Sequence, residues 1–159
     1  MENKGNFTLR IYGIILNKKM EILISDEYVL DTYMIKFPGG GLEFGEGTID
    51  CLKREAREEL NQEVEIISHY YTTDYYQKAL YYEKHQLISI YYLAKLMGKP
   101  NFRISTKQFD FEKGINGSQS FRFVPIHDLI NEPLTFPIDK KVAQKLPGDE
   151  KFLKNAFGY

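Results

Sequence analysis

Pro38-Gly39-Gly40-Gly41-Leu42-Glu43-Phe44-Gly45-Glu46-Gly47 leads, after Thr48 to Leu52, into Lys53-Arg54-Glu55-Ala56-Arg57-Glu58-Glu59-Leu60. Five of the chain's 12 glycines fall between positions 39 and 47. Such a density implies an irregular loop with positive φ values or close backbone approaches. Thr48 suits a helix N-cap and Asp50 a helix first turn. From there to Leu60, the residues Ile49, Leu52, Ala56 and Leu60 share one helical face. Glu55, Glu58 and Glu59 fall within an arc of roughly 100° on the same helix. Like charges three and four residues apart cost a few tenths of a kcal/mol each. The three carboxylates therefore form either a solvated face or a site for a hard cation. Oxygen-only ligands select Mg²⁺, Mn²⁺ or Ca²⁺ over zinc.

On the N-terminal side, Phe7 to Leu16 alternates as a strand, with Phe7, Leu9, Ile11 and Ile15 against Thr8 and Arg10. Asn17-Lys18-Lys19 breaks it, and Met20 to Ile24 alternates again. The pair reads as a hairpin. Met34 to Phe37 reads as a short strand stopped by Pro38. On the C-terminal side, Val64 to Tyr76 and Gln86 to Leu96 are rich in β-branched and aromatic residues, which favours strands. Residues 101–120 read as a polar loop and Phe121 to Val124 as a last strand. Pro125 opens a helical turn around His127 to Ile130. Ile138 to Leu146 and Glu150 to Phe157 suggest terminal helices. No regular βαβ beat is present, so the expected class is α/β in the broad α+β sense: a mixed sheet with helices packed on it.

The chain has 159 residues, the size of one domain, and the expected organisation is a single domain over 1–159. Hydrophobic residues make up 43% and charged residues 27%, which excludes disorder over the whole length. The 21 Lys and Arg against 22 Asp and Glu give a net charge of −1, without the basic excess of a broad nucleic-acid binder. No nucleic acid and no membrane partner is expected from this balance. The single cysteine, Cys51, excludes an intrachain disulfide. Apolar runs are far short of the ~18 residues that span a bilayer, and the N-terminus lacks a signal-peptide pattern. The expected location is the cytoplasm. The charge is not evenly spread: Glu43 to Glu63 holds seven acidic and three basic residues.

Gly40, five residues, Glu46, seven residues, then Arg54-Glu55-Ala56-Arg57-Glu58-Glu59 resembles the Nudix box, and Pro38-Gly39 matches its usual lead-in. The resemblance covers positions 40–62. It implies a Nudix-like α/β/α sandwich with a central mixed β-sheet. It also implies divalent-metal-dependent hydrolysis of a pyrophosphate bond in a nucleoside diphosphate linked to another group. The candidate substrates are nucleoside triphosphates, ADP-ribose and nucleotide sugars, that is, small-molecule nucleotide derivatives. By position, Glu55, Glu58, Glu59 and the Gly40 carbonyl would hold Mg²⁺ or Mn²⁺. Glu46 and Arg54 would fix the loop on the helix, with Gly40 as a structural member of the motif. Glu55 or Glu59 would take the proton of the attacking water, and Asp110 and Glu112 are candidates for an additional carboxylate. The box glycine and the aliphatic after it are replaced by Asn61 and Gln62. Asn61 can still adopt a left-handed C-cap.

Eight of the 12 tyrosines lie between Tyr70 and Tyr92, either packing on strands or stacking a base. Tyr12, Tyr33 and Tyr81 are the candidates for substrate stacking. His69, His85 and His127 share no metal-ligand spacing, and no nucleophilic role is expected of Cys51. Relatives of this family often form dimers, so a homodimer is a further expectation. Intact Glu55, Glu58 and Glu59 favour an enzyme over the alternative, a non-catalytic Nudix-like module that binds a nucleotide or ADP-ribose.

Overall fold

A computed structural model describes residues 4–159 of the chain. Its elements are β1 (Asn6–Ile15), β2 (Glu21–Val29), β3 (Thr32–Lys36), β4 (Gly39–Gly41), α1 (Thr48–Leu60), β5 (Val64–Thr72), β6 (His85–Leu96), β7 (Ser118–Pro125), α2 (Pro137–Lys145) and α3 (Glu150–Phe157). A mixed four-stranded sheet has the order β4-β1-β6-β5 and an antiparallel three-stranded sheet the order β3-β2-β7. Strand β1 runs parallel to β6 and antiparallel to β4. This is the mixed α+β sandwich that the sequence led us to expect.

The period of two along β1 divides the core. Ile11 packs with Cys51 and Leu52 of α1, and Ile15 with Ala56 and Leu60. Tyr12, Ile14 and Leu16 turn the other way, toward Ile22 and Ile24 of β2, Ile138 and Val142 of α2, and Leu153 and Phe157 of α3. Each large aliphatic side chain buried in this way stabilises the fold by ~1.5–3 kcal/mol. The mixed sheet thus lies between α1 on one face and the C-terminal helices on the other. Strand β2 is buried from Ile22 to Glu27, an apolar run at Ile22-Leu23-Ile24 followed by the buried polar residues Ser25, Asp26 and Glu27.

The structure corrects five local expectations. Strands β1 and β2 do not form a hairpin: they lie in different sheets, linked by the isolated Leu16–Ile22 bridge, and otherwise meet through core packing. The hairpin is β2–β3, closed by Leu30 and Asp31, both at positive φ. Part of the glycine-rich segment is a strand, with Gly39, Gly40 and Gly41 opposite Tyr12, Ile11 and Arg10 of β1. Helix α1 is capped by Gly47, and the Thr48 hydroxyl instead bonds the Tyr92 hydroxyl at 2.7 Å. Finally, Ile49 is exposed, and Cys51 takes the buried place beside Leu52. Strand β5 ends at Thr72, four residues before its expected end.

Asn61 closes α1 at φ 50° and ψ 39°, its N–H donating to the Arg57 carbonyl. The left-handed cap of the motif is therefore kept without glycine. Gln62 is buried and polar where the motif has an aliphatic. Its Nε2 donates to the carbonyls of Met97 and Lys99, and its Oε1 accepts from the Asn101 N–H. A side-chain clamp on the chain after β6 replaces apolar packing at this helix end.

Candidate active site

The site forms where β4 meets α1. Gly39 has φ 140°, and a Cβ there would stand 2.0 Å from the Ile11 carbonyl oxygen, so only glycine fits. At Gly40 the constraint comes from α1: a Cβ would lie 2.1 Å from Oε1 of Glu55. The Glu55 carboxylate is thus seated against bare backbone.

Arg54 ties loop and helix together. Its Nη2 and Nε donate to the two carboxylate oxygens of Glu46 at 2.7 and 2.9 Å, and Nη2 also reaches the Gly41 carbonyl at 3.0 Å. Its Nη1 lies 3.1 Å from Glu55 and 3.2 Å from Glu58. The paired hydrogen bonds from Arg54 hold the Glu46 carboxyl down at about 2. These contacts fix the loop and leave Arg54 fully engaged.

Glu59, one turn further along α1, reaches the start of the glycine strand. It accepts from the Gly39 N–H at 3.4 Å and lies 3.5 Å from the ammonium of Lys36. Lys36 is buried, and it also meets Glu27 at 2.9 Å and the Gly39 carbonyl at 3.0 Å. Burial raises the Glu59 carboxyl to about 7; Lys36 opposes the rise, and Glu27 and Glu55 add to it. Lys36 and Glu27 were not singled out from the sequence. A lysine between the core residues Ile35 and Phe37, three positions before Gly39, was the available signal, because buried lysines require partners.

Glu58 is largely exposed. Among the described residues, no three His, Cys, Asp or Glu side chains converge as a preformed metal-ligand group. What the fold brings together is Glu55 and Glu59 at adjacent residues of the glycine strand, Gly40 and Gly39. Asp110 pairs with Arg103 at 3.1 Å and Lys107 at 3.4 Å, and Glu112 is exposed.

Of the stacking candidates, Tyr12 is corrected. Its ring is buried against Tyr91, and its hydroxyl accepts from Nε of Arg10 at 2.7 Å, so it cannot face a base. Tyr33 is partly exposed and packs on Tyr28 and Phe109. Tyr81 is half-exposed and lines a cavity beside Lys36 and Glu27. The other tyrosines in this region mostly pack on strands, as Tyr70 and Tyr92 do, with hydroxyls on Asp149 and Thr48.

This arrangement of glycine strand, arginine-fixed loop and glutamate helix on a mixed sheet defines the Nudix class. The NUDIX domain family model matches residues 7–146, and the chain belongs to that family. It is a Nudix hydrolase, a pyrophosphohydrolase. A Campylobacter jejuni protein named RNA pyrophosphohydrolase is 29% identical over 136 residues, covering 78% of this chain and 86% of the relative. The solution structure of the E. coli ORF135 protein superposes with a TM-score of 0.66 at 17% identity, covering 92% of each chain. A structure of MutT, from work on Aliivibrio salmonicida and Vibrio cholerae, is 25% identical with a TM-score of 0.55, covering 89% of this chain and 96% of that one. Nudix hydrolases act on nucleotide derivatives and generally use divalent metals. No helix among the described residues is long and apolar enough to cross a membrane.

Proposed function

We propose that the chain hydrolyses the pyrophosphate bond of a nucleoside diphosphate linked to another group, with Mg²⁺ or Mn²⁺ bound at the α1 glutamates. The observation that carries this reading is the Glu55 carboxylate seated in the space left by Gly40, with Glu59 bonded to the neighbouring Gly39 N–H. The donors fit the group. Glu55, Glu58, Glu59 and the Gly40 carbonyl offer oxygen only, as hard divalent cations require. Glu27, Glu55 and Glu59 also crowd negative charge that Lys36 alone does not balance. When bound, the cation would neutralise charge on the phosphate oxygens and lower the pKa of water.

The chain's own residues do the rest. Arg54 and Glu46 keep the glycine loop in register with α1. Lys36 holds Glu59 and the Gly39 carbonyl in one place. Glu55 or Glu59 takes the proton of the attacking water, and burial of Glu59 suits a base that works near neutral pH. A nucleoside triphosphate, ADP-ribose or a nucleotide sugar presents the required bond. The name of the Campylobacter jejuni relative adds RNA as a carrier of the same group, to which the charge balance did not point.

The test is a hydrolysis screen with Mg²⁺ and with Mn²⁺ over nucleoside triphosphates, ADP-ribose, nucleotide sugars, dinucleoside polyphosphates and a 5′-triphosphorylated RNA. We expect cleavage at a pyrophosphate bond in at least one class, abolished by EDTA. Binding of these compounds with no cleavage of any would replace this reading with the non-catalytic module.

A further inference from the structure

The antiparallel sheet sets four polar side chains on one face, beside the glutamate helix. Ser25 and Glu27 are two residues apart on β2; Ser25 stands opposite Lys36 of β3, and Glu27 opposite Gln119 of β7. Ser25, Glu27 and Lys36 are buried, and Gln119 is partly buried. A buried ion pair is weak evidence for stability, because apolar residues of the same volume often serve a fold as well. Glu27 and Lys36 therefore call for a role beyond joining β2 to β3.

Their hydrogen bonds point to that role. Oε1 of Glu27 accepts from three donors: the Ser25 hydroxyl at 2.9 Å, Nε2 of Gln119 at 2.8 Å and the Lys36 ammonium at 2.9 Å. Nε2 of Gln119 also donates to the Ser25 hydroxyl oxygen at 2.9 Å, which closes a triangle around the carboxylate. With one oxygen held from three directions, Glu27 has one position. Gln119 and Glu27 line the same cleft as Glu59.

Lys36 is shared unequally. Its ammonium is within hydrogen-bond length of Glu27 and of the Gly39 carbonyl, at 2.9 and 3.0 Å, but stands 3.5 Å from Glu59. Glu27 and Glu59 compete for one cation, and the triangle settles the competition in favour of Glu27. Glu59 keeps the electrostatic support of Lys36 while its oxygens stay open to a metal ion or to a proton from water. Without the hold on Glu27, Lys36 closes on Glu59 and occupies an oxygen that the reaction needs.

We propose that Gln119 is a positioning residue for hydrolysis: with Ser25 it fixes Glu27, and Glu27 keeps Lys36 from closing on Glu59. The proposal rests on the hydrolase reading. It makes the antiparallel sheet, and not only the glycine loop and α1, responsible for the geometry of the glutamates. Closure of Lys36 to ordinary hydrogen-bond length is a shift of about 0.6 Å, and since ~1 Å in a reacting constellation costs about a hundredfold, a loss of about tenfold is expected.

Steady-state kinetics on the best substrate of the hydrolysis screen, at saturating Mg²⁺ or Mn²⁺, tests it, with the unfolding midpoint of each variant measured alongside. Gln119→Met keeps the length of the side chain and removes its donors. Glu27→Gln keeps the shape and removes the charge that holds Lys36. Each should lower kcat at least about tenfold with KM within threefold of the wild type, a split that a general loosening of the fold does not produce. The double variant should lose no more than about twofold beyond Glu27→Gln alone, because Gln119 acts through Glu27. A wild-type kcat in a folded Gln119→Met, a rise in KM in place of the fall in kcat, or losses that multiply in the double variant would overturn the proposal. An inactive wild type defeats the hydrolase reading and this proposal with it; an active wild type with an unaffected Gln119→Met defeats this proposal alone.

Discussion

Gly40→Ala separates catalytic geometry from stability. The new Cβ would lie 2.1 Å from Oε1, 2.4 Å from Cδ and 2.8 Å from Oε2 of Glu55. Ordinary non-bonded contact begins at ~3.5 Å, so the carboxylate has to move by more than about 1 Å. Gly40 is not among the glycines at positive φ, so alanine meets no backbone penalty. The obstruction is the end of a flexible side chain, which can swing aside. The expected stability cost is therefore below about 1 kcal/mol, or a Tm shift of ~2–4 °C at this size. The catalytic cost is larger, because a misplacement of ~1 Å in a reacting constellation can lose about a hundredfold in rate. The assay is kcat on the best substrate of the screen at saturating Mg²⁺, with the melting curve measured alongside. Gly41→Ala is the control, since a Cβ there meets nothing within 4 Å. If Gly40→Ala keeps kcat within threefold of the wild type, Glu55 does not work from its seat against the glycine strand.

Lys36→Met leaves Glu27 and Glu59 buried around a missing cation, which should cost about 3–5 kcal/mol in urea denaturation. Asn61→Gly should be neutral or up to ~1 kcal/mol stabilising, because glycine takes the left-handed cap freely, whereas Asn61→Val should lose about 1–2 kcal/mol. Asp139 gives a pH signature. Burial raises its carboxyl to about 6 from the model-peptide value of 3.8, so the native state binds the proton more tightly than the unfolded chain. The stability linked to that proton is complete below about pH 4 and is lost as the pH rises through 6. The stability of Asp139→Asn relative to the wild type should thus improve by roughly 1–3 kcal/mol between pH 4 and pH 7, read from denaturant midpoints.

The box helix was legible because its signals are local. An apolar stripe at helical spacing, an acidic first turn and an asparagine cap all depend on residues a few positions apart. The pairing of β1 was not legible, since alternation marks a strand without naming its neighbour. Asn17 to Met20 reverse the chain as a hairpin turn would, yet β2 continues into the other sheet. Gly39 to Gly41 carry no side chains, so no periodicity could mark them as a strand. Tyr12 was misjudged because nearness to the glycine segment says nothing about which face of β1 a ring occupies. Within the site, the motif spacing pointed to Glu46, Arg54, Glu55 and Glu59. Lys36 and Glu27 come from strands that only the fold sets beside α1, and each resembled an ordinary charged residue of a strand.

The central claim is that the α1 glutamates drive pyrophosphate hydrolysis with a divalent cation. Its most direct test is kcat for the wild type and for Glu59→Gln on the same substrate, at saturating Mg²⁺ or Mn²⁺. The substitution keeps the shape and removes the charge, taking away transition-state stabilisation that is worth at least about a hundredfold. A loss of that size in a folded variant is the expected result, and an unchanged rate would contradict the account.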